Sequence, residues 1–278
     1  MKIGMSYWCL EGGLAGSRPV AEAMQEVKDL GFDAIELAIA SSGVLTPQTT
    51  QQECKEIVAQ ARAIGIEISS LASGESWTYS PTAADPDARR KIVEFTKKSL
   101  QIAGWLGLDA YLYVPGAVDV FFIPDGEVVP YDVCYARAQH SLQELVPVAE
   151  SVGVTICVEN VWNKFLLSPL EMKTFIDGFG SRSVGSYFDV GNVLTTGYPD
   201  HWIRILGPRI RRVHIKDYKI SVGSADGFCD LLEGDVDFQT VKKALAEIGY
   251  SGYVTAEILP YAPGGPQKTA NAMKAIFK

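Results

Sequence analysis

The chain has 278 residues, 47% of them hydrophobic and 21% charged, with a formal net charge of −8 at pH 7. That composition supplies a large core and excludes a disordered or fibrous protein, while the acidic balance offers no electrostatic footprint for nucleic acid or an anionic membrane. The five cysteines (Cys9, Cys54, Cys134, Cys157, Cys229) are odd in number and lack a C-x-x-C pair. They predict a reducing compartment, with the cytoplasm as default, rather than a disulfide framework or a thiolate zinc site. Met1 to Gly13 has a short apolar run broken by Ser6 and Glu11, too short for a signal peptide, and no later segment reads as a membrane span. A soluble protein is expected.

In chain order, an apolar β-rich run at Ile3 to Trp8 precedes an amphipathic helical stretch near Pro19 to Leu30, and the same plan recurs to the end. The later pairs are Ala34 to Leu37 with Pro47 to Ile64, Ile66 to Leu71 with Asp85 to Leu106, and Ala110 to Val114 with Tyr131 to Val152. Val154 to Val158 with Pro169 to Gly178, Val184 to Phe188 with Pro199 to Leu206, Ile210 to Ile215 with Phe238 to Ile248, and Tyr253 to Ile258 with Gln267 to Phe277 complete the series. Pro19, Pro47 and Pro169 fit first-turn positions, and Gly31, Gly65, Gly107, Gly153 and Gly249 follow the last apolar helical residue. Nearly continuous strand hydrophobicity indicates parallel strands covered on both faces. Eight βα units predict a single (β/α)8 TIM barrel over residues 1–278, in preference to an open doubly wound sheet. The longer connections Ser73 to Pro86 and Tyr218 to Asp237 follow strands and are candidate active-site loops.

Four consecutive strands end in metal-ligand residue types: Glu159, Asp189, His214 and Glu257. A barrel makes these ends neighbours on one rim, so the four side chains can meet at one point. Three carboxylates and an imidazole suit one divalent ion such as Mn²⁺, Mg²⁺, Co²⁺ or Zn²⁺. Taken singly, each carboxylate also reads as a helix cap or rim salt bridge, and His214 as a hydrogen-bonded histidine without metal.

VENVWN (158–163), YFDVGN (187–192), VHIKD (213–217) and GDVDF (234–238), followed by Tyr250, Gly252 and Glu257, resemble the sugar phosphate isomerase/epimerase superfamily, whose fold is the xylose isomerase-like TIM barrel. GFDAIEL (31–37) is similar to its second-strand signature, so the resemblance spans essentially the whole chain. Likeness to its tagatose/psicose 3-epimerases and L-xylulose-5-phosphate 3-epimerases implies metal ligands Glu159, Asp189, His214 and Glu257, with Glu159 and Glu257 as the acid/base pair. The chemistry so implied is epimerisation at C3 of a ketose or its phosphate through a cis-enediolate, the metal polarising substrate oxygens while two glutamates exchange the proton. Return of the proton to the neighbouring carbon gives aldose–ketose isomerisation, including the hydroxypyruvate isomerase type. An inosose dehydratase-like lyase and a metal-containing sugar-binding barrel without turnover are further alternatives. The resemblance also implies a homo-oligomer, for which the sequence carries no interface signature.

Substrate-side candidates are Asn192, Lys216, Trp8, Trp162 and Glu36. Asn192 offers a neutral hydrogen-bond partner or a helix cap. Lys216 offers a contact to a substrate hydroxyl or phosphate, or an internal ion pair with Asp217 or Glu159. Trp8 and Trp162 offer an apolar wall for a sugar, or core packing. Glu36 offers a contact to substrate, an orienting bond to His214, or a cap or salt bridge. The second glutamate that free-ketohexose epimerases carry soon after the first metal glutamate, and their arginine after the metal histidine, are replaced here by Asn163 to Leu166 and by Tyr218 to Ile220. An endonuclease IV-like DNA-repair enzyme is excluded by a total of three histidines and by the net charge.

Overall fold

The computed structural model describes residues 1–278. Eight parallel strands close into a barrel: β1 (Lys2–Ser6), β2 (Ala34–Ala38), β3 (Glu67–Ala72), β4 (Ala110–Tyr113), β5 (Thr155–Glu159), β6 (Val184–Asp189), β7 (Ile210–Ile215) and β8 (Tyr253–Ala256), with β8 paired to β1 and to β7. The eight intervening helices are α1 (Val20–Asp29), α2 (Gln51–Ile64), α3 (Pro86–Trp105), α4 (Tyr131–Val152), α5 (Pro169–Asp177), α6 (Pro199–Leu206), α7 (Phe238–Glu247) and α8 (Gly265–Phe277). The (β/α)8 barrel expected from periodicity is therefore the architecture present. No helix is long and apolar enough to cross a membrane, and all five cysteines are unpaired.

Local chemistry sets the boundaries. The second helix begins at Gln51 rather than at the expected Pro47, because Thr50 and Glu53 close a reciprocal capping box that satisfies the first free N–H groups. Asp85 before Pro86 and Ser168 before Pro169 cap α3 and α5 with their side-chain oxygens, which accept the N–H groups of Asp87 and Glu171. The glycines at 31, 65, 107, 153 and 249 all have left-handed φ, as helix ends require. The first strand stops at Ser6, and Tyr7–Cys9 form one 3-10 turn that carries Trp8 to the rim.

Two apolar layers result. The larger lies between strands and helices and includes Ile3, Met5, Ile35, Leu37, Val213 and Val254. The smaller is inside the barrel and comprises Ala72, Ala110, Leu112, Val114, Cys157 and Tyr187. The alternation of side chains on each strand separates the two sets. The rest of the barrel interior is polar, with Ser6, Glu36, Ser70, His214 and Thr255 fully buried.

Beyond β7 the chain forms a two-stranded antiparallel ribbon, Asp217–Tyr218 with Phe228–Cys229, which periodicity over so few residues does not reveal. Its anchor is Asp217, whose buried carboxylate accepts N–H bonds from Tyr218 (2.9 Å), Leu232 (2.9 Å), Gly234 (3.0 Å) and Val236 (3.1 Å). Asp217→Ala removes the shared acceptor of four amides. It should lower unfolding free energy in urea by about 3 kcal/mol and speed hydrogen exchange across 232–236; unchanged exchange there would refute the anchoring role.

Candidate metal centre and substrate cavity

Glu159 ends β5, Asp189 ends β6, His214 lies in β7 and Glu257 follows β8. One ligand atom from each of the four lies within 4.8 Å of the others, and all four residues are buried. Asp189 and His214 are register partners on adjacent strands, and His214 also pairs with Thr255, two residues before Glu257. The convergence expected from the strand ends is thus a consequence of barrel closure.

Each side chain is aimed by its neighbours. Asp189 Oδ1 accepts the N–H groups of Gly191 and Asn192, both at 2.9 Å, which turns Oδ2 toward the cluster. Asn160 ties the ends of β5 and β6 together: its amide donates to the Asp189 carbonyl at 2.8 Å and its Oδ1 accepts the Asp189 N–H at 2.9 Å. His214 Nε2 lies 3.0 Å from Glu36 Oε1. This leaves Nδ1 facing Glu159 Oε1 at 3.3 Å and Glu257 Oε2 at 3.2 Å. Glu36 Oε2 in turn accepts from Ser70 at 3.0 Å and from the Tyr187 hydroxyl. The barrel register shifts at Ile35/Glu36 and at Ser186/Tyr187, immediately before these two bonded residues, as irregularities beside functional sites commonly do.

Lys216 Nζ stands 2.5 Å from Glu257 Oε2 and 3.2 Å from Asp189 Oδ2. Its stem passes so close to the turn after β6 that a Cβ on residue 191 would sit 2.7 Å from Lys216 Cβ, so glycine is required there. The ion pair suggested for Lys216 is therefore present, with Glu257 and Asp189 as partners in place of Asp217 or Glu159.

Charge balance follows from this packing. Burial, foremost, raises the Glu159 carboxyl to about 7. Burial also acts against ionised Glu257, but the Lys216 and His214 charges together outweigh it and hold that carboxyl at about 2. Burial raises Asp189. His214 is held well above its usual value because Glu257, Glu36 and Tyr187 overcome the penalty of burying its charge. Asp189 Oδ2 and Glu257 Oε2 are buried without an aligned hydrogen-bond donor. Three carboxylates and an imidazole nitrogen converge on one point with only the Lys216 ammonium and one another as partners, a donor set that fits a divalent cation of oxygen and nitrogen preference.

Above the cluster lies a cavity of about 1060 Å³ lined by Glu159, Glu257, Lys216, Asn192, Trp8 and Trp162 together with loop residues. Asn192 caps no helix; its side-chain amide donates to the Asn160 carbonyl at 3.0 Å, and its own carbonyl accepts the Trp162 indole N–H at 2.9 Å. Glu36, expected among the substrate-side residues, is corrected by its position: it is fully buried beneath His214 and absent from the cavity wall. Its orienting bond to His214 is the role present. Both loops singled out from their length reach the cavity, through Ser73, Glu75 and Trp77 and through Asp226, Phe228 and Glu233. The connection from Val114 to Pro130 does so too, through Phe121 and Phe122, and was missed. Asn160 and Tyr187 were also missed, although each flanks a ligand on its own strand.

Residues 24–277 match the model of the xylose isomerase-like TIM barrel family. The chain belongs to that family. It is 22% identical to the fructoselysine 3-epimerase of Escherichia coli O157:H7, the alignment covering 100% of this chain and 98% of that protein. It is 24% identical to the D-psicose 3-epimerase of Ruminiclostridium cellulolyticum over 84% of this chain and 76% of the relative. The solved structure of a D-tagatose 3-epimerase-like protein superposes with a TM-score of 0.79 at 21% identity, covering 99% and 97% of the two chains. These family relatives are sugar epimerases by name, enzymes of the isomerase class.

Glu36→Gln keeps the size of the side chain but weakens the bond that turns Nδ1 toward the cluster. Divalent-ion affinity measured by calorimetry should fall about 10–100-fold with the fold retained; unchanged affinity would show that Glu36 does not orient the imidazole. A divalent ion entering this cluster would have to displace the protons that Glu159 and His214 hold. Affinity should therefore rise with pH as Glu159 ionises near 7 and go on rising as His214 deprotonates, while Glu257, ionised throughout, adds no dependence. Proton release measured in buffers of differing ionisation enthalpy checks the sign.

Proposed function

We propose that the chain is a divalent-metal-dependent epimerase acting at C3 of a ketose, with Glu159 and Glu257 as its two proton-transfer groups. The observation that carries this reading is the approach of both carboxylates to His214 Nδ1, from strands on either side of β6 and β7, while both also line the cavity. A ketose seated there has a carboxylate toward each face of the carbon beside its carbonyl. Similarity to named 3-epimerases supports the same reaction class.

Glu159, Asp189, His214 and Glu257 would hold the cation. When bound, it supplies Lewis-acid polarisation of the ketose oxygens, without which a carboxylate is too weak a base for a C–H proton. The rest of the chemistry belongs to the chain. One glutamate takes the C3 proton, leaving a planar enediolate, and the other delivers a proton to the opposite face. Trp8 and Trp162 shield the reacting carbon from water, and the Lys216 ammonium balances the carboxylate charge. Manganese, cobalt, magnesium and zinc all suit the ligand set.

Metal-stripped protein incubated with ketoses in deuterated water should regain activity with Mn²⁺ or Co²⁺ and place deuterium at C3 of the epimerised sugar. Label at C1 or C2 with an aldose product would identify an isomerase instead. Glu257→Gln should lower the exchange about 10²–10⁴-fold while the barrel still folds, as circular dichroism reads it, and full exchange by that variant would refute the two-glutamate mechanism.

A further inference from the structure

The walls of the cavity differ from its floor. Five aromatic rings form an unbroken arc across loops that follow β3, β4, β5 and β7. Trp77 meets Phe122 at a centroid distance of 5.2 Å, Phe122 meets Phe121 at 5.1 Å, Phe121 meets Trp162 at 6.0 Å and Trp162 meets Phe228 at 5.1 Å. All five line the cavity. Phe121 and Phe122 remain 59% and 47% exposed, a large apolar area to leave in water at the mouth of a polar site. The cavity, at about 1060 Å³, lies just above the range of about 300–1,000 Å³ that encloses drug-sized ligands, and exceeds a single hexose several-fold.

Charge in the cavity excludes one class of substituent. Lys216 is the one basic side chain in the lining; it is 16% exposed and already paired with Asp189 and Glu257. The remaining charged wall residues are acidic. Glu75 and Asp226 have no cationic partner, and Asp230 and Glu233 share Lys268. A phosphoryl group carries about −1.5 to −2 charges at pH 7 and would meet carboxylates without a free cation or a glycine-rich cradle. A neutral ring avoids that repulsion and can cover the arc, since aromatic faces pack against apolar C–H surfaces.

We propose that the substrate is an unphosphorylated ketose extended by an uncharged second ring, the ketose seated over the glutamates and the second ring against the arc of Trp77, Phe122, Phe121, Trp162 and Phe228. This rests on the epimerase reading for the ketose end alone. The floor determines which carbon exchanges its proton, and the arc determines what the ketose carries. The expectation that a sugar phosphate serves equally well is set aside on this ground.

Three probes share one ketose and differ only at O6: fructose, fructose 6-phosphate and isomaltulose, in which O6 bears a glucosyl ring. Affinity for the Mn²⁺-loaded protein is read by quenching of tryptophan fluorescence, and deuterium exchange at C3 is followed separately. Isomaltulose should bind at least about tenfold more tightly than fructose, equivalent to one or two aromatic contacts, and fructose 6-phosphate more weakly than either. Phe121→Ala combined with Phe122→Ala should collapse the isomaltulose-to-fructose affinity ratio toward one. Preference for fructose 6-phosphate, or an isomaltulose ratio near one in the unmodified protein, would overturn the proposal. Dissociation of a dimer by the double variant, with the ratio unmoved, would overturn it in favour of a second copy of the chain as occupant of the arc. Absence of exchange with every probe, alongside the expected affinity order, would refute the epimerase reading and leave the ligand assignment standing.

Discussion

The imidazole of His214 sits fully buried inside the barrel with carboxylates at both ring nitrogens, Glu36 at Nε2 and both Glu159 and Glu257 at Nδ1. Removing four ionisable groups from water is expensive, and only mutual neutralisation with good hydrogen-bond geometry offsets it. Ser70 and Tyr187 supply that geometry to Glu36 from β3 and β6. The centre is consequently rigid on its lower side and short of donors on its upper side, where Asp189 Oδ2 and Glu257 Oε2 share the single Lys216 ammonium. An arrangement complete below and incomplete above is what a cation site requires of its scaffold.

Period-two alternation along β7 extends the same principle through the barrel. Arg212, His214 and Lys216 fall on alternate positions, and each meets anions at its own depth. Arg212 donates to the Ser69 carbonyl at 2.8 Å and pairs with Asp109 near the amino end. His214 meets Glu36 in the middle, and Lys216 meets Asp189 and Glu257 near the carboxyl end. The apolar cluster of Ala72, Ala110, Leu112, Val114, Cys157 and Tyr187 packs beside these charges, and Tyr187 touches both sets through its hydroxyl bond to Glu36. Apolar packing next to the buried charges lowers the local dielectric and strengthens their interactions.

The division of labour between strands and loops follows from stiffness. Strand ends hold Glu159, Asp189 and His214 in a hydrogen-bonded barrel that admits little movement, which suits proton transfer over short distances. The aromatic and acidic walls come from the connections after β3, β4, β5 and β7, segments whose substitution leaves the packing of the strand-end cluster in place. Asp217 joins the two levels, since its carboxylate, one residue after Lys216, organises the whole loop to Val236.

Much of the barrel was legible because its signals are local. Hydrophobic period, capping residues such as Thr50 and Asp85, and glycines after helices act within a few residues of themselves, and eight repetitions leave few ways to pack. Metal-ligand types at four successive strand ends were legible for the same reason, because closure of a barrel makes strand ends adjacent whatever their separation in the chain. The position of Glu36 beneath His214 was open between substrate and histidine, since only the register shifts in β2 and β6 decide which neighbour its carboxylate reaches. The partners of Lys216 depended on the close passage at Gly191, and the role of Phe121 and Phe122 on a loop whose path follows no periodic rule. Short-range sterics and hydrophobic period thus specify the elements, the barrel and the chemical types at its rim. Which atoms face one another, and how large and how charged the space above them is, emerge only on folding, because those distances run across the barrel and through its loops.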